Sequence, residues 1–407
     1  MTGKTRRSKP RARKAAASRA SRGAPEAEIM RAIIAVGAVS PAELARATEQ
    51  SPRLVSSAIR SLTERGWIAA TGRGSAASKV APCAGTAFVL GCDLGGSKLH
   101  VAIADLTGTL VAQAIEQTDQ DSGRAVLAQI RRLTGEVLRR AGIDRRRILG
   151  ATLGMPGVID PTSGALSLSP NIPDFGRANV IAAMSRAFGC PVRIENDVNL
   201  AVIGEHWRGA GRGRRNLAFI ALGTGIGMGL LCDGRLVRGA HGAAAEIAYL
   251  PMGGDPFAPG NVAAGTFESV VGTAGILQRF AAAGGGAATG VRAILAAAKL
   301  GDSTAVRVID DTARWTALGI AAVVALVDPE MVVLGGGIGT QPDFVNQVER
   351  HLRNCVARPV PVAVCVLGNQ ATLLGAIATA IADLPGSLFA GKATNPAAGS
   401  RRNPEAA

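Results

Sequence analysis

Apolar positions recur with two different periods along this chain, and the change of period divides it. From Pro25 the spacing is helical. Ile29, Ile33 and Val36 fall on one face of a first helix, which Gly37-Ala38 ends. Ser40-Pro41-Ala42-Glu43 supplies an N-cap Ser, a Pro at the first helical position and a Glu at the third, and predicts a second helix to about Thr48. Ser51-Pro52 opens a third helix in the same way, with Val55, Ile59 and Leu62 at i, i+4 and i+7 and Gly66 as its stop. Trp67 to Gly74 reads as a short strand and a glycine-tipped basic loop. Beyond it the period falls to two. Strands are expected near 87–94, 98–104 and 109–115, with Leu99, Val101 and Ile103 on one face and His100, Ala102 and Ala104 on the other. A helix over roughly 122–141 and a strand at 148–153 follow.

The head pattern, three helices with a short second turn and then a β wing, predicts a winged helix-turn-helix over 25–74. Arg53, Ser56, Ser57 and Arg60 point outward from its third helix, the one that would enter a major groove, and Arg73 on the wing would reach the DNA backbone or minor groove. A small helical dimerisation module is the other reading of the same pattern. Residues 1–24 read as a disordered basic arm, 75–84 as a linker and 386–407, rich in Gly, Ala, Pro and Asn, as a disordered tail.

In the body, 85–385, three strands in meander, then helix, strand and helix, is the order of an actin-like ATPase half in the α/β class. Glycines gather at three strand ends: Asp93-Leu94-Gly95-Gly96-Ser97-Lys98, Leu222-Gly223-Thr224-Gly225-Ile226-Gly227, and Leu334-Gly335-Gly336-Gly337. Two strand–turn–strand copies suggest two similar half-domains facing one cleft. Adjacent glycines let a backbone approach an anion and aim N–H groups at it. Asp93 could hold a metal-bound water, and Lys98 adds positive charge for a phosphate. An ordinary glycine-rich hairpin is the plainer alternative for each cluster alone. Asp197, in Glu195-Asn196-Asp197-Val198-Asn199, sits where a strand hands over to a helix. A carboxylate there can take a proton from a sugar hydroxyl attacking a γ-phosphate, or can simply cap the helix.

Composition narrows the partners. The 407 residues carry a net charge of +15, and the first 80 supply most of it; residues 1–23 alone hold nine Lys/Arg and no acid. A basic end on a nearly balanced body points to a polyanion there, double-stranded DNA above all. With 47% hydrophobic residues but only 9 Phe, 3 Trp and 1 Tyr, the cores must be aliphatic. The cysteines at 83, 92, 190, 232, 355 and 365 form no CxxC pair and suggest reduced thiols in a cytoplasmic protein. The longest apolar run, 317–327, is too short to cross a bilayer, and the N-terminus lacks the apolar core of a secretory signal.

Together these motifs resemble the ROK (repressor, ORF, kinase) family of sugar kinases and sugar-responsive repressors over about 85–385. Gly154-Met155-Pro156-Gly157-Val158-Ile159-Asp160 and Arg238-Gly239-Ala240-His241-Gly242-Ala243-Ala244-Ala245-Glu246 complete the set. The resemblance implies an actin-like sugar kinase fold, with Asp197 as catalytic base. It implies Gly157, Asn171, Asn196, Glu246, Tyr249 and Glu268 around the sugar. Asp93, Gly95, Gly96, Ser97, Lys98, Gly223, Thr224, Gly225, Gly227, Gly335 and Gly336 would lie around ATP, with Mg2+ if kinase activity is retained. A winged head before such a body is similar to the repressor branch, which implies an operator-binding homodimer or dimer of dimers with a sugar effector. In one region the chain departs from the family. The family places Gly-His after the sugar-motif Glu and adds three close cysteines, binding zinc. Here Glu246-Ile247-Ala248-Tyr249 puts the only Tyr in the His position, and 251–268 hold no cysteine. Zinc needs about four such ligands, so no bound zinc is expected.

Overall fold

The computed structural model describes residues 25–71, 79–159, 166–167 and 180–389. The basic arm, Arg73, Asn171 and residues 390–407 lie outside the described residues. In the head, α1 (25–36) is followed by α2 (Pro41–Ala47) and α3 (Pro52–Glu64). The Ser40 hydroxyl accepts the Glu43 N–H, and the Glu43 carboxylate accepts the Ser40 N–H at 2.8 Å, a complete capping box. Ser51 caps α3 through the Leu54 N–H. Ile29, Ile33, Val55 and Leu62 are buried, whereas Val36, expected on the same face as Ile29, is exposed at the last turn of α1, just before Gly37 turns the chain with φ +85°.

Strands β1 (Ile68–Thr71) and β2 (Lys79–Pro82) pair antiparallel as a wing. The second of these corrects the expectation of a linker over 75–84. Val80 is buried and exchanges two backbone hydrogen bonds with Val39, so this stretch is part of the head despite its loop-like composition.

The first half of the body comprises β3 (Phe88–Leu94), β4 (Lys98–Asp105), β5 (Leu110–Gln117), α4 (Gly123–Ala141), β6 (Ile148–Met155), the small pair β7 (Val158–Ile159) and β8 (Leu166–Ser167), α5 (Val180–Phe188), β9 (Val192–Asn196) and α6 (Asp197–Arg208). The second half comprises β10 (Leu217–Leu222), β11 (Ile226–Cys232), β12 (Arg235–Leu236), α7 (Pro259–Ala264), α8 (Glu268–Val271), α9 (Thr273–Ala282), α10 (Val291–Lys299), α11 (Ser303–Val327), β13 (Met331–Gly335), α12 (Gly336–Gly339), α13 (Pro342–Cys355), β14 (Val362–Val364) and α14 (Ala371–Phe389).

The sheets run β5-β4-β3-β6-β9 and β12-β11-β10-β13-β14. In each, three antiparallel strands are extended by two parallel ones, so the two halves share one topology. This is the actin-like sugar kinase fold. The strand alternation is as expected: Leu99, Val101 and Ile103 join the core under α4 and α5, while Ala102 and Ala104 face the other side of the sheet.

The chain passes between the halves twice, through α6 into β10 and from β14 into α14. The two crossing helices are exchanged. Helix α6, which follows the first sheet, packs Ala201 and Val202 on the second sheet; α14, which follows the second, packs Leu373, Ile377 and Ile381 on the first. α14 also extends past the expected start of a disordered tail at 386. It runs through Pro385 to Phe389, anchored by Leu384, which is buried. A proline costs a helix one hydrogen bond and a local clash, and burial of this helix's apolar face offsets that.

Candidate functional site

The site is built where strand ends meet the start of α6. Asn196, the last residue of β9, is the N-cap of α6. Its Oδ1 accepts the N–H groups of Val198 and Asn199, and its Nδ2 donates to the Gly157 carbonyl at 3.1 Å. A cap of this kind contributes about 1 kcal/mol, and here it also ties two expected sugar-binding residues together. Asp197 is the first residue of α6 and accepts the Val198 N–H at 2.9 Å. The capping role thus belongs mainly to Asn196, which leaves the second carboxylate oxygen of Asp197 for other work.

Asp93, the second-last residue of β3, lies close enough for the charge of Asp197 to reach it. Burial, and then the charge of Asp197, push the Asp93 carboxyl up to about 7. Burial also raises Asp197. Glu246 is raised by burial first, then by Asp197 and Glu268. The charge of Asp197 therefore reaches both Asp93 and Glu246 across one cleft. Like charges at short range hold protons that isolated carboxyls would lose. Among the described residues no three such acids are placed to hold a metal ion together, whereas carboxylates lining a cleft can accept hydrogen bonds from hydroxyl groups.

The glycine clusters come to the same region. Gly95 donates to the Lys98 carbonyl to close the first turn; Gly96, Ser97 and Lys98 are exposed there. Gly223 donates to the Gly225 carbonyl to close the second. A side chain on Gly223 would approach the Gly337 N–H at 3.9 Å, which places the third cluster beside the second. Gly227 lies against Val198 of α6, and Gly335 and Gly336 leave the end of β13, the latter with φ +78°. These bare backbones fit the phosphates and nucleoside of ATP.

Glu268, expected near the sugar, also accepts the Ile226 N–H at 3.0 Å, and a Cβ on Gly225 would overlap its carboxylate. It braces the second hairpin. Tyr249 stands half-exposed, and its hydroxyl donates to the Ala263 carbonyl at 3.3 Å. Asn261 Nδ2 donates to the Asp255 carbonyl at 2.8 Å, and the two bonds hold this loop. The next residue back from Glu246, Ala245, has φ +69°, a left-handed conformation that costs a non-glycine residue about 1–2 kcal/mol. In the head, Arg53, Ser56, Ser57 and Arg60 are all exposed on α3.

Several residues escaped the sequence reading. Glu195, almost fully buried, receives Arg238 from the opposite half at 2.7 and 2.8 Å and Asn199 Nδ2 at 3.1 Å. This buried ion pair joins the two walls of the cleft beside Asp197. Arg238 lies in a motif already singled out, but nothing in the spacing pairs it with Glu195. Thr273 donates through its N–H and hydroxyl to the Gly223 carbonyl, tying the second hairpin to α9. His100, on the expected strand face, is buried in β4 with its ring against Gln113.

The sequence model of the ROK family matches residues 89–383. A glucokinase from Streptomyces coelicolor is 30% identical over 312 residues, covering 71% of this chain and 96% of its own. Among solved structures, a ROK family transcriptional regulator, a homologue of the E. coli MLC protein, superimposes with a TM-score of 0.78 at 23% identity, covering 91% of this chain and 99% of its own. A ROK family glucokinase from Streptomyces griseus in complex with glucose and AMPPNP gives a TM-score of 0.60 at 24% identity, covering 72% and 99%. At these identities the two structures speak for the fold alone.

Proposed function

The chain belongs to the ROK family, and on that premise we propose that it is a DNA-binding transcriptional regulator, a repressor of carbohydrate metabolism, whose kinase-like body senses a sugar or sugar derivative. The observation that carries this reading is the head. Helix α1, the capped helices α2 and α3 and a pair of antiparallel strands precede the body, and α3 exposes Arg53, Ser56, Ser57 and Arg60 together. The regulator-type neighbour extends over this head, whereas the glucokinase structure stops short of it. Exposed arginines at a helix in a major groove supply phosphate neutralisation and guanine readout. One head buries little DNA surface, so a homodimer or dimer of dimers on paired half-sites is expected. Among the described residues no helix is long and apolar enough to cross a membrane.

The test is binding to the DNA upstream of the protein's own coding sequence, by fluorescence anisotropy through a salt titration. Full-length protein is compared with Arg53→Ala/Arg60→Ala. Site-specific binding should fall at least tenfold in the variant, since each good arginine–guanine pair contributes about 1–3 kcal/mol. Equal binding by both proteins, vanishing with salt, would sink the reading and leave only non-specific attraction.

A second reading, an ATP-dependent sugar kinase of the hexose-phosphorylating kind, is favoured by one observation: Asp197 stands at the start of α6 with Asn196 taking most of the capping, and both glycine turns are closed by backbone hydrogen bonds. In this reading Asp197 takes the proton of a sugar hydroxyl as its oxygen bonds to the γ-phosphorus of ATP and the bond to the β-phosphate oxygen breaks. Asn196 and Glu246 orient the sugar, and the glycine turns hold the phosphates. Mg2+, held through Asp93, would neutralise charge on the phosphates. The two roles are compatible in one chain. No zinc is expected in either, because residues 251–268 hold no cysteine and position 249 carries a Tyr, leaving too few zinc ligands.

A further inference from the structure

Both passages between the halves converge on one buried carboxylate. Glu205, on the third turn of α6, has no exposed surface. Its Oε2 accepts the N–H of Ala210, on the passage from α6 to β10, at 2.7 Å. Its Oε1 accepts the N–H of Leu367, on the passage from β14 to α14, at 2.9 Å, and the Cys365 thiol at the same distance. Burial, and then the neighbouring Glu205, push that thiol up to about 12, so it stays a donor.

The helices on either side are locked together. A Cβ on Gly375 of α14 would overlap the carbonyl of Leu200 in α6, and one on Gly204 would overlap the carbonyl of Ala371. Backbones this close cannot slide without breaking contact. At the cleft end the Thr372 hydroxyl donates to the carbonyl of Asp197 itself at 3.2 Å.

The far ends of both helices reach the side of the body that carries the head. Arg208, the last residue of α6, donates to the carbonyls of Thr107 and Gly108, in the loop after β4. α14 continues past Ile377, Ile381 and Leu384. One continuous apolar cluster joins these to Val89, Ala102 and Ala104 of the first sheet and to Ile29, Met30, Ile33, Val55 and Leu62 of the head. A Cβ on Gly386 would lie 3.8 Å from the Arg31 guanidinium of α1. The head is therefore seated on α14.

We propose that α6 and α14, pinned by Glu205, form one hinge unit that carries a change at the cleft to the DNA-binding head. Occupancy of the cleft alters how the halves close; the halves turn about the two passages; Glu205 makes those passages move together; and α14 passes the movement to α1. A two-state element biased from both ends is what coupling between distant sites requires. The proposal rests on the regulatory reading for its purpose, but the mechanical coupling can be measured without DNA or sugar.

The experiment is hydrogen exchange followed by mass spectrometry on the full-length protein, comparing wild type with Glu205→Gln, and with Thr372→Val as the milder variant should Glu205→Gln fail to fold. Neither Glu205 nor Thr372 belongs to the apolar cluster that joins the head to the body, and Ser57→Ala on α3 serves as the control. Glu205→Gln cannot accept all three donors, so exchange at 197–210 and 365–380 should rise. If the unit is continuous, exchange at 25–36 and 79–82 should rise with it, on the order of tenfold. Loosening of the crossing helices with an unchanged head would overturn the proposal. So would a folded variant in which neither region changes. Upstream-DNA anisotropy on the same samples separates the two claims: coupled exchange in a protein without specific DNA binding would retain the hinge and remove the regulatory reading.

Discussion

At matching strand ends the first half of the body presents acids and the second presents bare backbone. β3 carries Asp93 as its second-last residue, whereas β10, its counterpart, has no acid there and runs into Gly223-Thr224-Gly225. β9 hands over to Asp197; β14 hands over to a buried Cys365 held by Glu205. β13 ends in three glycines, one of them with φ +78°. One strand order has thus been used for two kinds of work. Carboxylates suit proton transfer and cation binding. Glycines suit close approach by phosphate and nucleoside, because the backbone N–H is then the outermost group. The second half does supply Glu246 and Glu268, but from loops and a helix start after β12, outside the shared strand pattern.

The sharpest way to break this contrast is to neutralise the acid half. Asp197→Asn should lower any sugar-dependent ATP turnover by about 10²–10⁴-fold, read as ADP release across a hexose panel. Turnover that survives would remove Asp197 as the base. Next comes a pH effect confined to the first half. Asp93 has a folded pKa of about 7 against an ordinary 3.8. A raised carboxyl stabilises the fold while protonated, so its contribution is complete below about pH 4 and is lost as pH rises through 7. Asp93→Asn should therefore match wild type in thermal stability only at about pH 4 and below, and exceed it increasingly as pH rises from 4 to 7, by about 4 kcal/mol at most near pH 8. Parallel pH curves for the two proteins would mean that Asp93 is not protonated in the fold.

The smallest effect compares glycines. Gly336→Ala must hold φ near +78° and push a Cβ into the Leu222 backbone, whereas a Cβ on Gly96 meets nothing within 4 Å. The first change should cost about 1–3 kcal/mol and the second less than about 1 kcal/mol, by thermal unfolding. Equal losses would show that the two turns are not specialised differently.

Much of this arrangement is legible before any coordinates. Ser40 to Glu43 declares a capping box through side-chain chemistry alone, and the box forms. Alternation in 98–104 declares which residues face α4, because side chains in a strand alternate sides whatever the partner. The wing strand Lys79–Pro82 was hidden because a short strand of Lys, Val, Ala and Pro has no periodic signal; its pairing with Ile68–Thr71 and the bridge from Val80 to Val39 make it a strand. Asp197 was legible as a carboxylate at a strand–helix junction, but its freedom from capping depends on Asn196 taking that duty.

Local chemistry therefore determined the helices, turns and glycine clusters, and with the motifs they carry, the family. Periodicity and capping act over a few residues, and those residues are adjacent in the chain. The exchange of α6 and α14 between sheets, the Glu195–Arg238 pair across the cleft, the convergence of two passages on Glu205 and the seating of the head on α14 were decided by the tertiary structure. Each joins segments from about 40 to more than 300 residues apart. A buried carboxylate is stable only where donors from elsewhere in the fold meet it, and no spacing along the chain records which donors those will be.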